Sequence, residues 1–404
     1  MISEIRLLNY KRFRCEKISL EPLTVFIGPN GAGKSTVASA LYILGAIIRL
    51  GLRPAFPQGF FSFHNLRSYD ADEFGYRFAP IGLGISGHIH ACKFDYDIIF
   101  AEDTHSPSGY YINYEGLTIE DADFRCHYST GAPPKQAFTL PTMGEGHWLN
   151  GFETHSQRDS LFSNVGQVRI EQGLYTRLKE IQRYMQRITK YQFSPSVARM
   201  GSSQYDGSGS QPFLKNDGAN LAEVVQYLQE EQKGLFQQQF KKLIIEYAEG
   251  GSNIVDVGVS VYENKVFLNF YEEDKNRNTF EVRGPLLADG YWVFASFACL
   301  AACQAIPSIA FFEEPESYLH PHKLDVLFKI FEMLAMREKE PCQVLISSHS
   351  PYFLDFFKTR PNSIIFLNKG QHKRLTDIED YERILSLYSF GEAWYSNAFN
   401  WGNP

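Results

Sequence analysis

The stretch Gly28-Pro29-Asn30-Gly31-Ala32-Gly33-Lys34-Ser35-Thr36 constrains this chain more than any other. It satisfies the phosphate-loop pattern G-x-x-x-x-G-K-[ST] and lies where such a loop has to lie. Ahead of it, Leu23-Thr24-Val25-Phe26-Ile27 is short, apolar and partly β-branched, which predicts a buried strand. Behind it, residues 37–48 are rich in Ala, Leu and Ile and predict a helix. Glycines let a backbone wrap close to a phosphate with its N–H groups turned inward, and a helix N-terminus adds favourable partial charge. Lys34 can then reach β- and γ-phosphates, and the Ser35 hydroxyl can bind Mg²⁺. A glycine turn beside a surface lysine is the bland alternative, and it would not require the flanking strand and helix. The expectation is a nucleoside triphosphate site.

A chain of 404 residues can hold two or three domains and bury a large core. Its 44% apolar and 15% aromatic content is that of a folded protein. The net charge of −7 gives no overall pull toward nucleic acid, so any DNA contact has to come from a local basic patch. Six cysteines are scattered without C-x-x-C spacing; Cys299 and Cys303, one helical turn apart in an apolar run, read as core. No secretory signal opens the sequence and no apolar run is long enough for a bilayer, so a reduced cytoplasm is expected.

Three further motifs follow in order. Leu286-Leu287-Ala288-Asp289-Gly290 precedes a long apolar helix predicted over residues 291–305. Its turn either binds phosphate through N–H groups or is a plain helix cap with Asp289 in the capping role. Ile309-Ala310-Phe311-Phe312 is an apolar strand running into Glu313-Glu314-Pro315-Glu316. Carboxylates at such a strand end suit a phosphate-loop site, where the first holds the Mg²⁺ shell and the second deprotonates the attacking water. Val344-Leu345-Ile346-Ser347-Ser348-His349-Ser350-Pro351 is a second buried strand, ending in small polar residues and a histidine that is either structural or a γ-phosphate sensor.

This order of motifs resembles the heads of ABC-type ATPases, most closely the soluble RecF, SMC and OLD group. Ile5-Arg6-Leu7-Leu8-Asn9-Tyr10-Lys11-Arg12-Phe13 is similar to their first strand and its basic-aromatic turn. Phe312-Glu313-Glu314-Pro315-Glu316-Ser317-Tyr318-Leu319-His320-Pro321 is similar to the acid-strand segment of OLD-type enzymes. Asp217-Gly218-Ala219-Asn220-Leu221 and Gly391-Glu392-Ala393-Trp394-Tyr395 look like segments of stand-alone members. The resemblance covers residues 1–50 and 214–400 and is poor over 85–213.

It implies an α/β fold, an ABC-ATPase head with a P-loop mixed sheet core, a flanking antiparallel β-sheet and a helical insertion. The implied segments are 1–84 (phosphate loop), 85–250 (β-rich lobe with helical and loop insertion) and 251–404 (signature turn, acid strand, switch histidine). It implies ATP and Mg²⁺ between paired heads, each nucleotide lying on the loop of one head and closed by the signature turn of the other. By position, Asn30, Gly31, Ala32, Gly33, Lys34, Ser35 and Thr36 line the phosphates, with Arg12 beside them. Ser35 and Glu313 hold the metal, Glu314 is the general base, His349 senses the γ-phosphate, and Asp289 and Gly290 belong to the trans signature. Gln58, in Pro57-Gln58-Gly59, is the candidate for the amide that senses Mg²⁺, or else an ordinary loop residue. Two departures stand out. Glu313 replaces the commoner aspartate, and Ala288 stands where the family has a serine. Losing that hydroxyl removes one charge-assisted hydrogen bond, about 1.5–3 kcal/mol of closure, so slow turnover is expected.

The middle of the chain is individual. Short β-rich runs over residues 81–119 predict antiparallel strands of a second sheet. Residues 120–162 read as loops and residues 201–210 as a mobile segment, while residues 223–247 predict helix, with strands near 255–262 and 265–271. Residues 174–191 read as one helix with Leu178, Ile181, Met185 and Ile188 on its apolar face. Lys179, Arg183, Arg187 and Lys190 would share another face, either a solvated surface or a stripe for DNA phosphates or an acidic partner. His88 and His90 would alternate on one strand face, without an evident third metal ligand. No heptads of the length an SMC arm needs are present. The short segment after Ser350-Pro351 lacks a convincing cluster of metal-binding acids, so the chain itself is not expected to cut nucleic acid.

The functional expectation is a Mg²⁺-dependent ATPase switch whose homo-oligomeric heads control a separate effector from an adjoining gene, a nuclease or toxin. Stand-alone ATPases resembling it occur in bacterial anti-phage systems of the Septu and PARIS-like kind. Its rivals are a RecF-like DNA-binding ATPase of repair or replication and an ATP-binding scaffold with little turnover.

Overall fold

The computed structural model describes residues 1–51, 55, 66, 80–102, 110–121, 125–131, 147–148, 160–164, 172–282 and 284–401. The N-terminal elements are β1 (Ile2–Tyr10), β2 (Phe13–Ser19), β3 (Leu23–Ile27), α1 (Lys34–Leu50), β4 (Ile81–Ile89), β5 (Cys92–Glu102), β6 (Tyr110–Glu120), β7 (Arg125–Gly131), β8 (His147–Trp148) and α2 (Gln172–Gln186). The central ones are β9 (Ile188–Tyr191), β10 (Ser202–Ser203), α3 (Leu221–Glu231), α4 (Lys242–Ala248), β11 (Ile254–Tyr262), β12 (Lys265–Glu273), β13 (Thr279–Val282) and α5 (Asp289–Ala302). Then follow β14 (Ile309–Glu313), α6 (Leu324–Ala335), β15 (Gln343–Ser347), β16 (Ile364–Asn368), β17 (Gln371–Arg374) and α7 (Phe390–Tyr395). The chain divides into two compact units, Met1–Ile188 with Pro361–Tyr381 and Phe399–Pro404, and Thr189–Arg360 with Glu382–Ala398.

The first unit is built on a seven-stranded sheet in the order β2-β1-β4-β5-β6-β7-β8. All its pairings are antiparallel except β7 with β8. Burial is continuous over residues 81–85 of β4, 96–100 of β5 and 114–117 of β6, so the middle of the sheet is covered on both faces. The second sheet of the sequence reading is therefore present and includes the first two strands. Residues 120–162, read as loops, also contribute β7 and β8 to it, because the free edge of β6 offers a ladder to any neighbouring segment. Within this sheet Glu115 is fully buried, accepting from the Tyr96 hydroxyl at 2.7 Å and from the Leu161 N–H at 2.9 Å.

The same unit holds β3, all five residues of which are buried, as expected of a parallel strand covered on both faces. Strand β16 runs parallel to it, with Val25 opposite Ile364, and β17 returns antiparallel to β16. Helix α1 packs on α2, and Gly45 is the reason they come close: a Cβ there would stand 2.5 Å from the Met185 carbonyl oxygen.

The second unit centres on β14 and β15, parallel and in register, with β9 beside β14. Helix α5 is buried from Trp292 to Ala302, an apolar surface on all sides that only a core helix can carry. A small sheet of β10, β11, β12 and β13 completes the unit. The helical stretch expected over residues 223–247 is present, interrupted by a π-helical segment, Phe236–Lys241. Residues 201–210 are pinned by Tyr205, which is buried, packs edge-on against Tyr227 and donates its backbone N–H to Gln226 Oε1 at 3.0 Å.

Candidate active site

In the first unit the phosphate loop joins β3 to α1. Gly28, Gly31 and Gly33 take φ of 149°, 75° and 117°, conformations that side chains disfavour. Space enforces the same choice. A Cβ at Gly28 would meet the Leu367 carbonyl oxygen at 2.0 Å, and one at Gly33 would meet the Phe13 ring at 2.8 Å. Gly33 caps the 17-residue α1, accepting from Thr36 N at 2.9 Å. Lys34 is buried, its Nζ donating to the carbonyls of Gly28 at 2.7 Å and Pro29 at 3.2 Å. Asn30, Gly31 and Ser35 are exposed at the loop mouth, Ala32 is buried and Thr36 is half-buried. The guanidinium of Arg12, on the turn between β1 and β2, lies 3.2 Å from the position a Gly31 Cβ would take. A concave glycine backbone, a helix N-terminus, two cations and an exposed hydroxyl fit a Mg²⁺-bound polyphosphate.

In the second unit β14 ends at Glu313, opposite Ser347 at the end of β15. The Glu314 N–H continues the ladder to the Ser347 carbonyl at 2.9 Å, and Glu314 then turns at φ 44°, an uncommon conformation for a residue with a Cβ. Ser317 ties the turn through its N–H and hydroxyl, both donating to the Glu314 carbonyl, at 3.1 and 2.8 Å. The turn leaves the Glu314 carboxylate exposed, 3.8 Å from His349 Nε2. Glu313 Oε2 is 2.6 Å from the ammonium of Lys190 on β9. Burial pushes the Glu316 carboxyl upward, opposed by the hydrogen bond from Ser348.

Asp289 and Gly290 open α5. The helix cap is Ala288, extended at φ −61° and ψ 147°, so Asp289 is not the capping residue; it sits in the first turn and pairs with Arg199. Gly290 has a steric role: a Cβ would stand 2.8 Å from the Tyr247 hydroxyl and 2.9 Å from the Tyr318 carbonyl oxygen. The signature turn thus abuts the acid turn through Tyr318. The structure brings Glu313, Glu314, His349 and Gly290 together in one unit, while Arg12 and the loop residues cluster in the other.

The sequence pattern of a family described as "AAA domain, putative AbiEii toxin, Type IV TA system" matches residues 23–355, a span that includes the loop, the signature turn, the acid strand and His349. The chain belongs to this AAA domain family. Its glycine loop joins a buried strand to a helix in a mixed α/β fold, as a P-loop chain of that family requires. A curated relative, an OLD nuclease of Thermus scotoductus, is 22% identical over 363 residues, 87% of this chain. The chain spans 60% of that relative's length. Among solved structures, an SMC head bound to the C-terminal winged-helix domain of ScpA is similar at TM-score 0.48 and 10% identity, covering 92% of this chain and 96% of that one. An SMC head domain of Thermotoga maritima is similar at TM-score 0.41 and 12% identity, covering 92% and 98%.

Two expectations about this AAA-family chain need correction. The helix carrying the basic stripe ends at Gln186; Arg187 is in a turn and Lys190 on β9, paired with Glu313, so the four cations do not form one helical face. The reason is that Ile188, Thr189 and Tyr191 favour a strand, and the edge of β14 supplies a partner for it. His90 lies in the β4–β5 turn at φ 53°, not on a strand face with His88. Gln58 lies outside the described residues.

One residue went unrecognised. Gln192 follows β9 and lines a cavity of about 290 Å³ together with Glu313, Glu314, Tyr191, Phe193 and Tyr318. Reading residues 174–191 as a single helix hid it. The available signal was Ile188-Thr189-Lys190-Tyr191, a β-prone run leading into a glutamine and then Ser194-Pro195.

Proposed function

We propose that this AAA-family protein hydrolyses ATP with Mg²⁺ and uses the cycle as a switch between separate and paired heads. The observation that carries this reading is the glycine loop between β3 and α1 with Lys34 buried against it. Lys34 exchanges its loop carbonyls for β- and γ-phosphate oxygens, and Arg12 and the N-terminus of α1 add positive potential. Ser35 would bind Mg²⁺ through its hydroxyl, and the acid role on the metal side falls to Glu313, whose cavity in the second unit is also lined by Gln192; the ion would supply charge neutralisation at the phosphate oxygens. Glu314 accepts a proton from the attacking water as its oxygen bonds to the γ-phosphorus and the bond to ADP breaks. His349 holds the developing phosphate. Asp289 and Gly290 belong to the surface that closes over the nucleotide of a partner head.

The paired heads would signal to a separate protein effector, in the setting of bacterial anti-phage defence and in the cytoplasm. The toxin named in the family description and the nuclease named for the relative both support an effector-linked role. Buried free thiols at Cys92, Cys299, Cys303 and Cys342 suit a reducing compartment. Among the described residues no helix is long and apolar enough to cross a membrane.

Phosphate release with Mg²⁺-ATP, measured with and without duplex or single-stranded DNA and with Glu314→Gln as the blank, tests this. A slow rate that is indifferent to DNA and vanishes in the blank supports the switch. Several-fold stimulation by DNA, lost on reversing Lys179 and Arg183 to Glu, would replace it with a DNA-reading ATPase. ATP-loaded Glu314→Gln should form a larger particle by light scattering than the nucleotide-free protein; equal masses would end the paired-head reading.

A further inference from the structure

Glu316, the third carboxylate of the acid turn, has no part in the reaction above, yet it too is tied in place. The Ser348 hydroxyl donates to Glu316 Oε1 and in turn accepts the Ser350 N–H at 3.1 Å. Ser348 is fully buried. Glu316 Oε2 is shielded from solvent and, among the described residues, has no hydrogen-bond partner. The reach of this arrangement is local and specific. Strand β15 ends at Ser347, so the ladder with β14 no longer fixes the backbone where His349 sits. Side-chain bonds brace that segment, Ser348 to Glu316 before the histidine and Ser350 N–H to the Ser348 hydroxyl after it, and the backbone of His349 and Ser350 also faces the Glu316 carboxyl. Ser350 then caps the short helix Pro351–Leu354.

The other end of the strut is equally fixed. Leu319 N–H donates to the Glu316 carbonyl at 2.9 Å, within the turn whose Glu314 carbonyl is gripped by Ser317. One turn therefore presents the Glu314 carboxylate and, two residues later, braces the loop that carries the imidazole 3.8 Å from it. We propose that Glu316 is a positioning residue that, through Ser348, sets the His349 imidazole against Glu314. This rests on the reading of Glu314 and His349 as the hydrolytic pair. What the Ser348 hydroxyl needs at position 316 is an acceptor oxygen, which a Gln side chain supplies as a Glu does.

The test uses the full chain with Glu316→Ala, Glu316→Gln and Ser348→Ala. Misplacing a reacting group by an ångström costs on the order of 10²-fold, so Glu316→Ala and Ser348→Ala should lower kcat by about 10- to 100-fold while KM stays within about twofold. Glu316→Gln keeps an acceptor oxygen and should retain the wild-type kcat. Removing both partners together should cost no more than removing one. With ring-¹³C-labelled histidine, the His349 Cε1–H signal, identified by its loss in His349→Gln, should move in the two Ala variants without nucleotide and stay in place in Glu316→Gln. An unmoved signal with unchanged kcat in Glu316→Ala overturns the proposal, as does an equal loss in Glu316→Gln with the signal in place. If Glu316→Ala fails to fold, Ser348→Ala carries the same test. Absence of hydrolysis by the wild type would instead fail the functional reading, and the histidine signal would still decide the positioning.

Discussion

Glu314 Oε1 stands 3.8 Å from His349 Nε2, the two side chains emerging beyond the paired ends of parallel strands β14 and β15. Equal strand lengths and an in-register ladder put a carboxylate and an imidazole side by side. Replacing Glu314 with Gln keeps the shape and removes the base. General-base losses run at about 10²–10⁴-fold, so kcat should fall by that factor while ATP affinity, read by calorimetry, holds.

Lys34 donates to two carbonyls of its own loop, so its position survives without nucleotide. Lys34→Met should weaken Mg²⁺-ATP binding by about 10- to 150-fold, the equivalent of about 1.5–3 kcal/mol for a lost charge-assisted bond. Titration calorimetry measures it directly. Far-ultraviolet circular dichroism should be unchanged, because α1 draws its stability from its buried face.

Ala288 caps α5 in an extended conformation that a serine adopts freely. Ala288→Ser should raise unfolding stability by about 1 kcal/mol through a new N-cap hydrogen bond, visible as a higher urea midpoint at unchanged slope. If the hydroxyl also reaches a partner's γ-phosphate, kcat rises with it. Greater stability without faster turnover would confine the missing serine to a structural role.

Glu115 is fully buried and its carboxyl is pushed up to about 7, by burial first, against the hydrogen bonds from Tyr96 and Leu161. The sign follows from proton counting. Between its ordinary acid value and about 7 the folded chain holds a proton that the unfolded chain has released, so stability falls as pH rises through this window. Glu115→Gln abolishes that titration. Its stability relative to wild type should therefore climb from pH 5 to pH 8 in urea unfolding, and a flat difference would place the carboxyl's ionisation elsewhere.

Much of this protein is legible in its residues. The loop Gly28–Thr36, the strands β3, β14 and β15, the helices on either side of them and the acids Glu313 and Glu314 follow from periodicity and motif chemistry. Each is specified by neighbours in the chain: glycines that alone tolerate the turns, and apolar runs bounded by polar stops. What local signals could not supply was decided by packing. The run Ile188-Thr189-Lys190-Tyr191 is β-prone yet also continues the helical pattern before it, and the edge of β14 settles it as a strand leading to Gln192, which lines one cavity with Glu313. The cap of α5 is Ala288, one residue ahead of Asp289, and Gly290 stands where Tyr247 and Tyr318 close in. Glu316 is one more acid in an acidic turn until the end of β15 brings Ser348 to it. Sequence determined which elements form and which chemistry they carry, because those depend on bonds to near neighbours. Tertiary structure decided which side chains meet, because those contacts join residues that the chain keeps far apart.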